Sequence, residues 1–237
     1  MNHSAQQRRL GAKPPVVGQA ARMDFRSRQW LPGDKAAPML ELGCGWGHPL
    51  RSLWESGYTN LTGVDINEEC HRIARESLPR EIRLFCEDAV AFLKRNEEQY
   101  WRVMIFHVLE HFPTDAALEL LALIKPRVAA GGALVIEVPN LSSLLGANMF
   151  FGDLTHRTAF TEFSLIQLLD EADYSQRDVI CPAPHFWEAG WRRWRPVRNP
   201  AVRWRLNRWM HRALFTVTGS GPVPRCYCPA LLVTARP

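Results

Sequence analysis

The stretch Met39–Leu50, MLELGCGWGHPL, decides how the rest of the chain is read. Apolar residues up to Leu42 read as a short strand, Gly43, Gly45 and Gly47 break it, and a helical pattern follows. Glycine adopts backbone angles that a Cβ forbids, so three of them let the chain turn sharply and pass close to a ligand. The spacing is G-x-G-x-G, not the G-x-G-x-x-G of dinucleotide binders, and Glu41 stands before the first glycine. A carboxylate there would repel a pyrophosphate but can receive a cation. S-adenosylmethionine (SAM), a nucleoside with a sulfonium and an ammonium, fits better than NAD.

Working outward, a second apolar strand, Leu61–Val64, ends in Asp65, about 20 residues beyond the turn, where a ribose-binding carboxylate belongs. A third, Ile82–Cys86, runs into Glu87, Asp88 and Ala89. A fourth, Val103–Phe106, ends in His107, and a fifth, Ala133–Val138, follows Gly131 and Gly132 and carries Glu137. Helical patterns near 47–57, 67–78, 88–95 and 114–128 alternate with them. Residues 174–181 suit a sixth strand and Ala230–Ala235 a seventh. The alternation predicts an α/β, Rossmann-like three-layer sandwich around a mainly parallel seven-stranded sheet, with ligands at the carboxyl ends of the strands.

The motifs ELGCGWG, GVDI, EDA, IFHVLEHF and IKPRVAAGGALVIEVPN, in this order between Pro38 and Tyr174, resemble those of class I SAM-dependent methyltransferases. The stretch THRTAFTEFSLIQLLDEADY also resembles bacterial methyltransferases of small-molecule and glycan biosynthesis, where a glycine replaces Asp173. The resemblance implies that Gly43, Cys44, Gly45 and Gly47 shape the cofactor turn and that Glu41 orients the methionine end. It further implies that Asp65 accepts the ribose hydroxyls, that Asp88 accepts the adenine amino group, and that Ile66 and Ala89 cover its ring. His107 flanks the sulfonium. The alternative is that Asp65 and Asp88 merely cap the helices that follow, at Asn67 and Val90.

The formal charge of +5 hides an asymmetry. Residues 1–35 carry seven Lys/Arg against two Asp, and residues 185–212 carry eight Arg against one Glu, whereas 36–184 carry 12 basic and 21 acidic groups. Any attraction to nucleic acid or membrane therefore belongs to the flanks. The expected organisation is a basic segment at 1–35 with a short helix over Ala21–Trp30, a SAM-binding core at 36–181, a Trp/Arg-rich insertion at 182–229 and a closing strand at 230–237. No run of 18 apolar residues occurs, and no apolar segment follows Arg8-Arg9 as an export signal would require. The six cysteines form no zinc-type pair and read as reduced thiols, with Cys44 in the turn and Cys86 in a buried strand. A cytoplasmic protein is expected, with peripheral contact at the inner membrane face as an option.

Methyl transfer from a sulfonium needs positioning above all, and a hydroxyl acceptor also needs a base or a metal. His107-Val108-Leu109-Glu110-His111 matches the protease pattern H-x-x-E-H, but a strand before it and Pro113 after it exclude the helix such ligands require. The stretch is also similar to E-x-x-E-H of the ubiquinone-pathway O-methyltransferases and the small-RNA 2′-O-methyltransferases, some of which hold a divalent cation there. This implies a metal set of Glu110, His111, His156 and His107, with His107 where those families have Glu. As catalytic residues His156 is expected to be the base, with His107 and His111 beside it; a hydrogen-bonded scaffold of the same groups is the alternative.

Within the insertion, Trp187, Trp191, Trp194, Trp204 and Trp209 stand among the eight arginines of 185–212. From Ala201 onward Val202, Leu206, Trp209, Met210, Ala213 and Leu214 share one helical face. A lid over the active site, an interfacial helix through 187–214 and an RNA-binding arm are the three candidates. The sequence therefore predicts a SAM-dependent O-methyltransferase acting on a small molecule or glycan, such as a lipid- or nucleotide-linked sugar. An RNA methyltransferase and a SAM-binding partner protein without turnover are the alternatives.

Overall fold

Strand β1 (Met39–Leu42) is buried at every residue, because the sheet it belongs to is covered on both faces. A computed structural model describes residues 30–143, 145–180, 200–219 and 222–237. The further strands are β2 (Leu61–Asp65), β3 (Arg83–Cys86), β4 (Tyr100–Phe106), β5 (Val128–Pro139), β6 (Gln176–Ile180) and β7 (Ala230–Arg236). They form one sheet in the order 3-2-1-4-5-7-6. Only β7 runs antiparallel to its neighbours, entering between β5 and β6. Strand growth reverses between β1 and β4, which opens the crevice where ligands of such sheets bind.

Seven helices complete the fold: α1 (His48–Glu55), α2 (Glu68–Ser77), α3 (Ala89–Arg95), α4 (Thr114–Ile124), α5 (Gly146–Phe151), α6 (Glu162–Glu171) and α7 (Pro200–Thr218) among the described residues. Alternation along the strands divides the core in two. Val103 and Ile105 of β4 pack with Leu120 and Leu121 of α4 and Leu165 and Leu169 of α6. Met104, between them, faces the other way, toward Leu50 and Leu53 of α1 and Trp30. Those are the three layers.

The structure corrects several local expectations. α4 ends at Ile124, where Lys125–Arg127 tighten into a 3₁₀ turn; Pro126 has no N–H to extend the helix. β5 begins at Val128 rather than Ala133, so Gly131 and Gly132 lie inside a strand that shifts register against Tyr100 and Arg102. There a Cβ on Gly132 would stand 2.8 Å from the Trp101 carbonyl oxygen. Cys86 is exposed and not buried, since β3 is the edge strand. In α6 the sequence pattern expects Thr161 at the N-cap and Phe163 inward; Thr161 does cap the start, in a reciprocal box with Ser164, but Phe163 faces outward and Glu162 inward. Asp173 takes φ +56, the left-handed conformation a glycine would supply just past the end of α6.

The helix expected over Ala21–Trp30 and most tryptophans of the insertion fall outside the described residues. Trp30 itself is buried, its ring 6.0 Å from that of Phe106. No described helix is long and apolar enough to cross a membrane.

Candidate functional site

The glycine turn is knitted to the end of β2: the Gly43 and Cys44 amides both donate to the Val64 carbonyl, at 2.8 and 3.0 Å. Gly43, Gly45 and Gly47 all have positive φ, at 73, 53 and 80°. A Cβ on Gly43 would also collide with Val108, so the turn is a cradle only glycine can form. Asp65 accepts the Gly45 amide on Oδ2 at 2.7 Å and the Asn67 amide on Oδ1 at 2.8 Å. It thus holds the turn to β2, and each oxygen keeps a lone pair for a ligand hydroxyl. Asp88, exposed, caps α3 by accepting the Ala91 amide on Oδ1 at 3.0 Å. Asn67, not Asp65, caps α2, its Oδ1 accepting the Cys70 amide at 2.9 Å; in Asp88 capping and ligand binding are compatible. Ile66, 68% exposed, stands beside Asp65 as an uncovered apolar shelf.

Glu41 is buried at the end of β1, and its Oε2 has no hydrogen-bond partner. Burial, with the Asp65 charge adding, pushes its carboxyl well above the ordinary range. An uncompensated buried carboxylate beside a glycine cradle fits a ligand carrying positive charge. The same burial, with Glu41 and Asp65 nearby, raises the Cys44 thiol, which makes it a packing residue rather than a nucleophile.

β4 ends in His107, at φ +55. Its Nδ1 lies 3.1 Å from Glu110 Oε1 and its Nε2 3.3 Å from Glu137 Oε1. Burial opposes the charged ring, but the hydrogen bonds and charges of the two carboxylates outweigh it and lift His107 to about 10. Both ring nitrogens then carry protons. A ring protonated in this way offers no lone pair to a proton or a metal, and the ligand atoms that converge nearby are those of Glu110, His111 and His156.

The other three groups do converge. A single 3₁₀ turn, Leu109–His111, carries Glu110 inward until it is fully buried. Ligand atoms of Glu110, His111 and His156 all lie within 4.8 Å of one another. His156 Nδ1 meets the Phe150 carbonyl at 2.7 Å, which can only accept, so Nδ1 carries a proton and the ring turns Nε2 toward the cluster. That nitrogen lies 3.9 Å from Glu110 Oε1 and 3.8 Å from Asp153 Oδ2, beyond direct bonding. The Thr155 hydroxyl gives its proton to Asp153 Oδ1 at 2.6 Å and receives His111 Nδ1–H at 2.9 Å, which fixes His111 in the same tautomer. Glu110 Oε2 has no hydrogen-bond partner. Two imidazoles converging on a buried carboxylate with an unsatisfied oxygen make a ligand set for a divalent ion, or a base beside an acceptor.

Sequence reasoning missed Asp153, which fixes Thr155 through its Oδ1 and faces His156 with Oδ2. Its one local signal is D-x-T, an Asx turn whose purpose appears only once the loop folds over β4. It also missed Glu162, which accepts Arg225 N–H at 2.7 Å, Arg225 Nε–H at 2.6 Å and Cys226 N–H at 3.3 Å and so ties α6 to the approach of β7.

A sheet of this order, with a glycine turn after β1 and carboxylates after β2 and β3, defines the class I SAM-dependent methyltransferases. The chain belongs to the methyltransferase-domain family, whose profile matches residues 17–178, and its cofactor is S-adenosylmethionine. It is similar to the 2-methyl-6-phytyl-1,4-hydroquinone methyltransferase of Synechocystis, at 26% identity over 219 residues, covering 87% of this chain and 52% of that protein. The chain thus spans about half the length of that curated relative. A SAM-dependent methyltransferase from Archaeoglobus fulgidus shares the fold, with a TM-score of 0.62 and 21% identity over 98% of this chain and 92% of that one. One from Mesorhizobium loti aligns with a TM-score of 0.60 and 16% identity over 89% and 95%.

Proposed function

We propose that the chain transfers the SAM methyl group to a hydroxyl oxygen of a small molecule or glycan, with lipid- and nucleotide-linked sugars as the leading acceptor class. The observation that carries this is the convergence of His111 and His156 on the buried Glu110 carboxylate, whose Oε2 is unsatisfied, at the end of β4. A hydroxyl is a poor nucleophile until its proton is removed or its charge is stabilised. Bound SAM supplies an electrophilic methyl on a good leaving group. Around it Glu41 receives the ammonium, Asp65 the ribose hydroxyls and Asp88 the adenine amino group, while Ile66 and Ala89 cover the ring. His107, held between Glu110 and Glu137, walls the crevice.

Glu110, His111 and His156 would hold a divalent ion, and two imidazoles with one carboxylate favour zinc, manganese or iron over magnesium. Such an ion supplies Lewis acidity toward the acceptor oxygen. In its absence His156 Nε2 is the base. Titration calorimetry with manganese or zinc should show one site per chain, weakened about 10- to 100-fold in Glu110→Gln and His111→Ala. Heat indistinguishable between wild type and both variants would remove the metal and leave His156 alone.

A further inference from the structure

Among the described residues, thirteen large apolar side chains are exposed: Ile66, Leu145, Met149, Phe151, Leu154, Phe163, Val202, Leu206, Trp209, Met210, Leu214, Val217 and Val223. None lies on the outer surfaces of α1 to α4. All sit on segments that rise from the carboxyl edge of the sheet, after β2, after β5 and between β6 and β7. Scattered exposed apolar residues are ordinary, but confinement to one end of a molecule is not.

The largest share belongs to α7, which is anchored by one side. His211 is buried against the Tyr227 ring at 5.1 Å, and Asn207 Nδ2 donates to the Tyr227 carbonyl at 3.2 Å. The carbonyls on either side, of Cys226 and Cys228, accept from Asn140 Nδ2 at the end of β5. α7 therefore stands on the same edge as the Glu110, His111 and His156 cluster. Its opposite side turns outward, with Leu206 51%, Trp209 66% and Val217 86% exposed. This face is bare among the described residues.

Charge identifies what this face meets. Its 19 residues contain four arginines and no acidic residue, and Arg205, Arg208 and Arg212 line one margin of the apolar stripe. The helix is thus purely basic in sequence, whereas the core at 36–184 is acidic. An apolar stripe bordered by arginines, with a tryptophan within it, is the pattern of a helix lying in the headgroup layer of an anionic bilayer.

We infer that the carboxyl-edge face docks on anionic lipid through α7, with Leu145, Met149, Phe151 and Leu154 as a second apolar contact, so that the histidine cluster opens toward the bilayer. This deepens the proposed acceptor class, from glycans and small molecules to those carried on a membrane lipid, and rests on that proposal for what is delivered.

The test is co-sedimentation of the full chain with vesicles of phosphatidylcholine, with and without phosphatidylglycerol, at low and high salt. Phosphatidylglycerol should raise binding about a hundredfold at low salt, and salt should reverse most of that gain. Replacing Arg205, Arg208 and Arg212 together by Gln should abolish the preference, and Leu206→Glu with Trp209→Glu should abolish binding. SAM affinity and the unfolding midpoint, read on the same variants, should not change, which separates lost docking from lost folding. Equal binding to both vesicle types, or none, overturns the inference. So does a dimer in analytical ultracentrifugation that Leu206→Glu dissolves, or retention of RNA in place of vesicles. Vesicle binding needs no turnover, so it stands or falls separately from methyl transfer.

Discussion

At the scale of single residues, Glu41 has the clearest measurable consequence. Its buried carboxyl is raised, so its ionisation costs the folded protein stability as pH climbs from about 4.5 through the folded value. Glu41→Gln should therefore stabilise the SAM-free protein at pH 8 but not near pH 4, as urea denaturation at the two pH values would show. The same variant should bind SAM about 10- to 100-fold more weakly by calorimetry, the worth of one charge-assisted contact. Equal stability at both pH values would mean the carboxylate is already compensated. Residues of this kind are legible in sequence when one backbone or charge requirement dictates them: Gly43, Gly45 and Gly47 all need positive φ, and Asp65 follows β2 at a fixed distance. Asp153 is illegible because its partner His111 is 42 residues away and meets it only through Thr155. The place of His107 at the end of β4 is legible, but its pairing is not, since the two carboxylates that flank it, Glu110 and Glu137, come from different elements.

Elements carry the cluster in position. α5 starts at Gly146, where an added Cβ would collide with the backbone of Asn140. Backbone cannot yield as a side chain can, so Gly146→Ala should cost about 1–3 kcal/mol in chemical denaturation. It should also lower kcat more than it raises KM for SAM, because α5 supplies the Phe150 carbonyl that fixes His156. Asp173→Gly should act the other way. It relieves a left-handed non-glycine residue and should raise stability by about 0.5–1 kcal/mol without touching activity. Strands and helices with strong periodicity were readable to within a few residues. The misreadings have one cause: Gly131-Gly132 signals a turn locally, yet the sheet absorbs both in a register shift, and Phe163 is apolar, yet Glu162 takes the buried position because Arg225 and Cys226 arrive to satisfy it.

Across the whole molecule, the sheet order and the cofactor edge follow from the alternation of elements, which admits few arrangements once helices cover both faces. The face of α7 does not follow. Periodicity says that Val202, Leu206 and Trp209 share a side, but only the anchoring of His211 on Tyr227 says that this side is bare. The account's central claim joins cofactor turn and histidine cluster in one reaction, methyl transfer to a hydroxyl. Labelled methyl transfer from SAM into fractionated cell extract, with and without EDTA, tests it most directly when wild type is run beside His156→Ala. Label should enter a lipid-soluble glycan fraction, vanish with EDTA, return with manganese, and fall about 100-fold or more in the variant. Label appearing only in RNA, or SAM retained without conversion to S-adenosylhomocysteine on any fraction, would contradict it.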